Sequence, residues 1–184
     1  LTHEAVPTNP NVITLHPAVL SLGVGCERGT DPQELLNLVE EALRAEGLSK
    51  KAFACVCSID LKGDELAVIQ LAKTLNVPLR LFDATTLEEE TPRVANPSDY
   101  VFDTVGCHSV SEASALAAAG KNSALIVPKS KSQRATCAIA QAPGIINASM
   151  VGKSRGRLTI IGIGPGTAHW RAPEATNTVA AASD

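Results

Sequence analysis

The sequence has few aromatic residues, no long apolar run and no excess of positive charge. Aromatic residues make up 3% of the 184 residues, and methionine and tryptophan occur once each. This scarcity argues against nucleic-acid modules that stack bases on aromatic side chains. No apolar run approaches the length of a transmembrane helix. The 16 Lys and Arg residues are outnumbered by 19 Asp and Glu residues, for a net charge of -3. We therefore expect neither a nucleic acid nor a membrane as partner.

The cysteines indicate a reducing compartment. There are five, an odd number, at Cys26, Cys55, Cys57, Cys107 and Cys137. The first residues have neither the basic end nor the apolar run of a signal peptide. Reduced thiols in a cytoplasmic protein are therefore expected. Cys55 and Cys57 stand too close together, and too far from other ligands, to indicate zinc. No metal is predicted.

Strand and helix patterns alternate along most of the chain. The predicted strands are residues 18–24, 53–57, 79–82, 123–127 and 135–140. Asp31 and Asp64 are predicted to cap the first two helices, and Ser98 and Ser109 to open two short ones, with Glu112 completing a capping box after Ser109. This order predicts an α/β fold, a three-layer α/β/α domain with a mostly parallel five-stranded sheet and one antiparallel edge strand. The last two strands are close enough to form a hairpin across KSKSQR.

Composition divides the chain into four parts. Residues 1–17 indicate a tail or linker, residues 18–140 the α/β domain, and residues 141–156 a second linker rich in Gly and Pro. Residues 157–184 begin a new strand that runs into GIGPG. The chain begins with Leu and ends without an evident stop pattern, so we expect a piece of a longer polypeptide.

Ligands of open α/β sheets bind beyond the carboxyl ends of the strands. The candidate ligand-binding residues at these positions are Gly23, Gly25, Cys26, Arg28, Gly29, Thr30, Ser58, Lys62, Lys129 and Lys131. Arg134 adds a further cation. Together with two helix N-termini, these cations predict a site for a ligand with several carboxylates or phosphates. A solvated charged rim is the alternative interpretation.

The stretch LGVGCERGT, residues 22–30, allows three interpretations. Its glycine spacing is one residue longer than the dinucleotide fingerprint, and it lacks the G-K-[ST] of a Walker loop, so nucleotide binding is disfavoured. Cys26 could be a nucleophile, because Arg28 and a helix N-terminus would lower its pKa, but no base is fixed beside it. A small cysteine in a strand-to-helix turn is favoured. Glu65 and His108 are the candidate catalytic bases.

Four ordered motifs resemble those of one family. LGVGCERGT, SIDLKGDE (58–65), VGCHSVSEASAL (105–116) and VPKSKSQRATCAIA (127–140) resemble the cobalamin-biosynthesis CbiG C-terminal domain, or CobE family, across residues 18–140. The resemblance implies a corrinoid ligand rich in carboxylates, and no cofactor for this domain. Full-length members are associated with opening the ring-A lactone of cobalt-precorrin-5A. Glu27 stands where a second arginine is common in the family, which removes one cation.

The last part of the chain resembles a different family. RLTIIGIGPGTAHWRAPEATNTVAAASD, residues 157–184, is similar to the start of tetrapyrrole methyltransferases of the precorrin-3B C-17 (CobJ) type. The resemblance implies an incomplete S-adenosylmethionine site at Gly162, Gly164, Pro165 and Gly166. A bifunctional hydrolase and methyltransferase is therefore expected, with the rest of the fused polypeptide as a partner and a homo-oligomer possible. Three functions stay open for this chain: a lactone hydrolase domain, a non-catalytic tetrapyrrole carrier, and a nucleotide-binding domain.

Overall fold

A computed structural model of the chain describes residues 1–7, 11–156, 159–162, 166–167 and 172–182. The strands within these residues are β1 (Leu20–Cys26), β2 (Phe53–Ile59), β3 (Leu79–Phe82), β4 (Ala124–Lys131), β5 (Ala135–Gln141) and β6 (Lys153–Ser154). The helices are α1 (Pro32–Ala45), α2 (Leu66–Leu75), α3 (Ala84–Glu88), α4 (Asp99–Val105), α5 (Ser111–Ala119) and α6 (Pro173–Ala180). Short 3-10 turns occur at Lys50–Ala52, Asp60–Lys62, Thr91–Arg93 and Ala148–Met150.

The six strands form one mixed sheet in the order β4-β5-β1-β2-β3-β6. β1 pairs with β2, and β2 with β3, in parallel. The other three pairings, β1 with β5, β4 with β5 and β3 with β6, are antiparallel. The α/β class is therefore confirmed, whereas the predicted mostly parallel five-stranded sheet is wrong.

The position of β5 accounts for most of this difference. The hairpin between β4 and β5 forms as predicted, but β5 lies between β4 and β1 instead of at an edge. It pairs with β1 over the whole length of both strands, from Leu20 opposite Gln141 to Cys26 opposite Ala135. Its sequence ATCAIAQ is almost entirely buried, as an inner strand should be. The sixth strand lies in the segment that was predicted to be a linker.

One face of the sheet packs against α1 and α2. Leu20, Leu22 and Val24 of β1 alternate towards this face and pack with the apolar stripe of α1, which includes Leu35 and Val39. All five side chains are fully buried. Burial of such a side chain stabilises the fold by about 1.5–3 kcal/mol, so this layer fixes β1 at the centre of the domain.

The opposite face of β1 is made of small residues and packs against α5. Ser21 Oγ donates to the carbonyl of Ala115 at 2.7 Å. A Cβ atom added at Gly23 would lie 1.9 Å from the carbonyl oxygen of Ser111. α5 itself consists mostly of Ala and Ser and is almost completely buried. This close contact sets the N-terminus of α5 beside the carboxyl end of β1.

Two of the four predicted helix caps are present. Asp31 accepts from Gln33 N–H at 2.9 Å, and Ser98 accepts from Val101 N–H. The caps predicted at Asp64 and Ser109 are wrong. α2 begins after Glu65, and α5 begins after Val110, in both cases without a capping side chain.

The segment 141–156 contacts the sheet through Arg80. Its guanidinium donates to the carbonyls of Val151 at 2.6 Å and Gly152 at 2.9 Å, which places β6 beside β3. Of the predicted S-adenosylmethionine loop, Gly164 and Pro165 lie outside the described residues. Gly162 and Gly166 are exposed and belong to no helix or strand. Among the helices that the structure describes, none has the length and apolar character needed to cross a membrane.

Candidate ligand-binding cleft

A cleft of about 490 Å³ opens where β1 ends, between α4 and the β4–β5 hairpin. Gly25 and Cys26 of β1 lie in its wall. Lys62, Lys129 and Lys131 supply cations to the cleft, α4 supplies Val101 and Val105, and the start of α5 supplies Ser109 and Ser111. The volume is within the range of about 300–1,000 Å³ that is usual for small-molecule sites.

One wall of the cleft carries excess positive charge. Lys129 and Lys131 lie two residues apart on β4, and both line the cleft. Burial lowers the pKa of Lys129, and the neighbouring charge of Lys131 lowers it further. Within the described part of the chain, the side-chain ammonium groups of Lys131 and Lys62 make no hydrogen bond or ion pair. The cleft therefore has cations that are free to bind an anionic ligand.

Arg134 contributes less of this charge. Its Nε lies 2.9 Å from the carboxylate of Glu27, which also lines the cleft. Its Nη2 donates to the carbonyl of Arg28 at 2.7 Å. Glu34 accepts from Ser132 Oγ and from the N–H of Arg134, which ties α1 to the tip of the hairpin. Arg134 therefore holds the rim of the cleft together.

The buried carboxylate of Glu112 fixes the position of Lys129. It accepts from the N–H groups of Ala95 at 2.8 Å, Asn96 at 2.9 Å and Lys129 at 2.8 Å, and from the side-chain amide of Asn96. Lys129 Nζ in turn donates to the carbonyl of Asn96 at 2.7 Å. Burial raises the pKa of Glu112, but these hydrogen bonds lower it more, so its pKa lies below the usual value. The carboxylate therefore stays ionised while it joins α5, β4 and the loop at residues 95–96.

The wall opposite the lysines is largely apolar and comes from α4. Val101 and Val105 face the cleft, together with Tyr100, the one tyrosine of the chain, which is 80% exposed. An apolar surface opposite a cationic one suits a ligand with a flat hydrophobic body and anionic substituents. The sequence prediction did not include this wall, although α4 carries two of the chain's few aromatic residues.

Two serine side chains in the cleft wall are buried without hydrogen-bond partners. They are Ser109 and Ser111, which flank Val110 at the start of α5. A buried hydroxyl without a partner costs about 1–3 kcal/mol. Neither serine was among the predicted site residues, because the sequence suggested a helix cap at Ser109.

Five of the predicted ligand-binding residues line the cleft: Gly25, Cys26, Lys62, Lys129 and Lys131. The others are engaged elsewhere. Gly23 packs against α5, Ser58 Oγ donates to the carbonyl of Val24 at 2.8 Å, and Thr30 Oγ1 donates to the carbonyl of Glu27 at 2.8 Å. Gly29 donates its N–H to Glu65 at 3.1 Å.

Arg28 does not join the lysines of the cleft. Its guanidinium makes an ion pair with Asp64 and donates to the carbonyl of Leu61 at 2.6 Å. Its hydrogen bond to Asp64 raises the pKa of Arg28 and lowers the pKa of Asp64. Arg28 therefore joins two loops through Asp64 instead of Asp64 acting as a cap, and ligand binding by Arg28 stays a prediction.

Neither predicted catalytic base lies in the cleft wall. Glu65 is 4% exposed and lies beside Gly29 and Arg28. His108 Nδ1 is 2.9 Å from Glu88, and its ring stacks on Phe102 with centroids 4.6 Å apart. Both side chains therefore have structural contacts outside the cleft wall, and a catalytic role for either stays a prediction.

The thiol of Cys26 is not activated. Burial raises its pKa, and the positive charge of Lys62 offsets this only in part. Arg28 lowers this pKa as predicted, but desolvation of the thiol outweighs it, so the net direction is upward. Cys26 is a neutral thiol in the cleft wall.

Comparison with known proteins identifies the family. The family described as cobalamin synthesis G C-terminus matches residues 20–140. Protein CobE of a Sinorhizobium species is 44% identical over 123 residues, which are 67% of this chain and 80% of that protein. The crystal structure of a protein CobE from the cobalamin pathway superposes with a TM-score of 0.64 at 34% identity, covering 72% of this chain and 96% of that one.

A longer relative shares the same domain. Cobalt-precorrin-5A hydrolase of Priestia megaterium is 31% identical over 133 residues, which are 72% of this chain but 35% of the hydrolase. This chain therefore spans about a third of the length of that enzyme. The match over residues 20–140 and the identity to Protein CobE show that the chain belongs to the cobalamin synthesis G C-terminus family, as a CobE/CbiG-like protein of cobalamin biosynthesis.

Proposed function

We propose that the cleft binds a corrinoid intermediate through the carboxylates on the rim of its macrocycle. The observation that carries this proposal is the pairing of the lysine wall with the apolar wall of α4. Carboxylates would bind Lys129, Lys131 and Lys62, while the ring would pack against Val101 and Tyr100. A macrocycle is larger than the cleft, so one edge of it would enter. The names of the relatives support this class of ligand.

We further propose that this domain supplies binding, and that other parts of a longer polypeptide supply the catalytic groups for lactone opening. The cleft wall contains neither Glu65 nor His108, and the thiol of Cys26 is not activated. The hydrolase relative has about two thirds of its length beyond the matched region. A tetrapyrrole carrier domain would have the same cleft, and an assay of lactone opening by this chain alone separates the two roles.

The fusion to a precorrin-3B C-17 methyltransferase stays a proposal that rests on the sequence of residues 157–184. Gly162 and Gly166 are exposed, and the described residues next to them form no strand or helix. Gly164 and Pro165 lie outside the described residues, so the S-adenosylmethionine site stays a prediction from the sequence and no methyl-transfer step is assigned to this chain. The complete reading frame around this segment tests the fusion.

Nucleotide binding at the β1–α1 turn is disfavoured by the contacts of that turn. The N–H of Gly29, which a phosphate would need, donates to the carboxylate of Glu65. Glu65 is buried beneath the turn. A phosphate placed there would meet a negative charge at close range.

The proposed function predicts that two lysines account for much of the affinity. Replacing Lys129 and Lys131 together with alanine should weaken binding of cobyrinic acid, a corrinoid with free side-chain carboxylates, by at least about tenfold, because two charge-assisted contacts are lost. Spectral titration at low salt measures the affinity. Increasing the salt concentration should lower the affinity of the wild type for cobyrinic acid more than it lowers the affinity of the variant.

Two controls define this experiment. The exposed pair Lys50 and Lys51 lies on a 3-10 turn outside the cleft, so Lys50→Ala with Lys51→Ala makes the same change in charge and should leave the affinity unaltered. Cobinamide, in which all of these carboxylates are amides, should bind weakly to all forms. Equal affinity of the wild type and the Lys129, Lys131 variant would contradict the proposal.

A further inference from the structure

We propose that the start of α5 is a subsite for a single oxyanion, formed by the hydroxyls of Ser109 and Ser111 and by the N–H groups of the first helical turn. The inference rests on the proposed function, because the oxyanion that it takes is one carboxylate of the corrinoid. The chemistry would also suit a phosphate group. The lysines of β4 stand on the neighbouring wall of the same cleft.

The two hydroxyls are the first observation. Ser109 is 3% exposed and Ser111 is 1% exposed, both line the cleft, and neither Oγ has a hydrogen-bond partner. Within the described ranges, these are the buried side-chain polar atoms that lack a partner. Other buried serines nearby are satisfied, since Ser21 Oγ donates to Ala115 and Ser58 Oγ donates to Val24. The unsatisfied donors are therefore concentrated at the cleft.

The helix terminus is the second observation. The first N–H groups of any α-helix lack intrahelical partners and bear partial positive charge. α1, α3 and α4 meet this need with side-chain caps from Asp31, Asp83 and Ser98, whereas α2 and α6, like α5, have no capping side chain. α5 has Val110 at its N-cap and no capping side chain. An anion in the cleft would supply the missing acceptor.

The charge around the subsite also favours an anion. Glu112 lies in the first turn of α5, but its oxygens accept from the N–H groups of Ala95, Asn96 and Lys129, so these donors partly offset its negative charge. Those same bonds fix the main chain of Lys129 beside the cleft. Lys129 and Lys131 remain to attract the ligand's carboxylate towards the hydroxyl and N–H donors.

The test is the double variant Ser109→Ala with Ser111→Ala, studied in the full chain. Its thermal midpoint should be equal to or higher than that of the wild type, because two unsatisfied buried hydroxyls are removed. Its affinity for cobyrinic acid should nevertheless fall by about tenfold. A structural role alone predicts the opposite, a loss of thermal stability without a selective loss of affinity.

Ser114→Ala is the matched control. Ser114 lies on the same helix, but its Oγ contacts the carbonyls of Cys57 at 3.4 Å and Ser111 at 3.3 Å. This variant should keep the wild-type affinity for cobyrinic acid and should be no more stable than the wild type. An equal loss of affinity in both variants would overturn the subsite.

Inorganic phosphate separates this inference from the proposed function. If the wild type binds cobyrinic acid and the double serine variant binds it equally well, the subsite is wrong while the corrinoid proposal stands. If the wild type binds phosphate but not cobyrinic acid, and the double variant loses phosphate binding, the subsite stands as a phosphate site and the corrinoid proposal fails. If neither probe binds the wild type, both are wrong.

Discussion

Replacing Gly23 with alanine should destabilise the domain by at least about 3 kcal/mol, and replacing it with valine should prevent folding. The added Cβ atom would lie 1.9 Å from the carbonyl oxygen of Ser111 and 2.7 Å from the backbone nitrogen of Ala115. Both are main-chain atoms of α5, which cannot rotate away as a side chain would. The strand and the helix must therefore separate, which opens the layer that Ser21 and Ala115 hold together.

Urea denaturation of the purified variant measures this effect through the free energy of unfolding. Gly144→Ala is the matched control, since a Cβ atom at Gly144 would meet no atom within 4 Å. That control should change stability by less than about 0.5 kcal/mol. A Gly23→Ala protein as stable as the control would show that α5 does not lie on β1 as described.

Replacing Glu112 with alanine is expected to cost about 3–5 kcal/mol of stability. The change leaves the N–H groups of Ala95, Asn96 and Lys129 without their acceptor inside the protein. It also releases the main chain of Lys129, so corrinoid affinity should fall in whatever protein remains folded. Denaturation monitored by circular dichroism measures the first effect.

The effect of Glu112→Ala should depend on pH. The pKa of Glu112 is lower in the folded chain than in the unfolded chain, so its contribution is complete above the unfolded pKa of about 4.3 and is lost as the pH falls through the folded value. The difference in unfolding free energy between the wild type and the variant should therefore narrow below about pH 4. Glu41→Ala, an exposed change on α1, should have little effect at any pH. A constant difference between wild type and Glu112→Ala across this range would contradict the role of the ionised carboxylate.

Local patterns in the sequence predicted the elements better than their arrangement. The strand at residues 79–82 has the predicted bounds, and Asp31 and Ser98 cap their helices as predicted. β4 extends four residues beyond the predicted strand, to Lys131. The prediction stopped at residue 127, because Pro128 to Lys131 is polar and resembles a loop, although this segment continues β4 along the sheet edge. The insertion of β5 beside β1 depends on contacts between distant parts of the chain. Its burial on both faces is the one local signal of that position.

The candidate site was predicted in part for the same reason. Lys62, Lys129 and Lys131 could be found because cations near strand ends converge at one edge of a sheet. Arg28 looked equivalent in sequence, yet its contact with Asp64 removes it from the group. The sequence analysis did not propose Ser109 and Ser111 as ligand-binding residues, because Ser109 followed by Glu112 is the pattern of a capping box. The same pattern occurs here in front of a helix without a cap.

Gly23 shows how one sequence feature can have a purely structural role. In LGVGCERGT it looks like part of a binding loop, but it lies inside β1 and allows the close approach of α5. Gly25, two residues further on the same face, does reach the cleft. Which of the two glycines packs against α5 depends on where the first turn of α5 crosses β1. No pattern within residues 22–30 predicts that position.

The most direct test of the corrinoid proposal is the position of cobalt in crystals of the chain grown with cobyrinic acid. Anomalous scattering locates the metal without prior assumptions about the ligand. We predict a cobalt peak at the mouth of the cleft, between Val101 of α4 and Lys129 of β4. A peak in the shallow groove beside Lys73 and Arg155, or anywhere else away from this cleft, would contradict the assignment of the binding site.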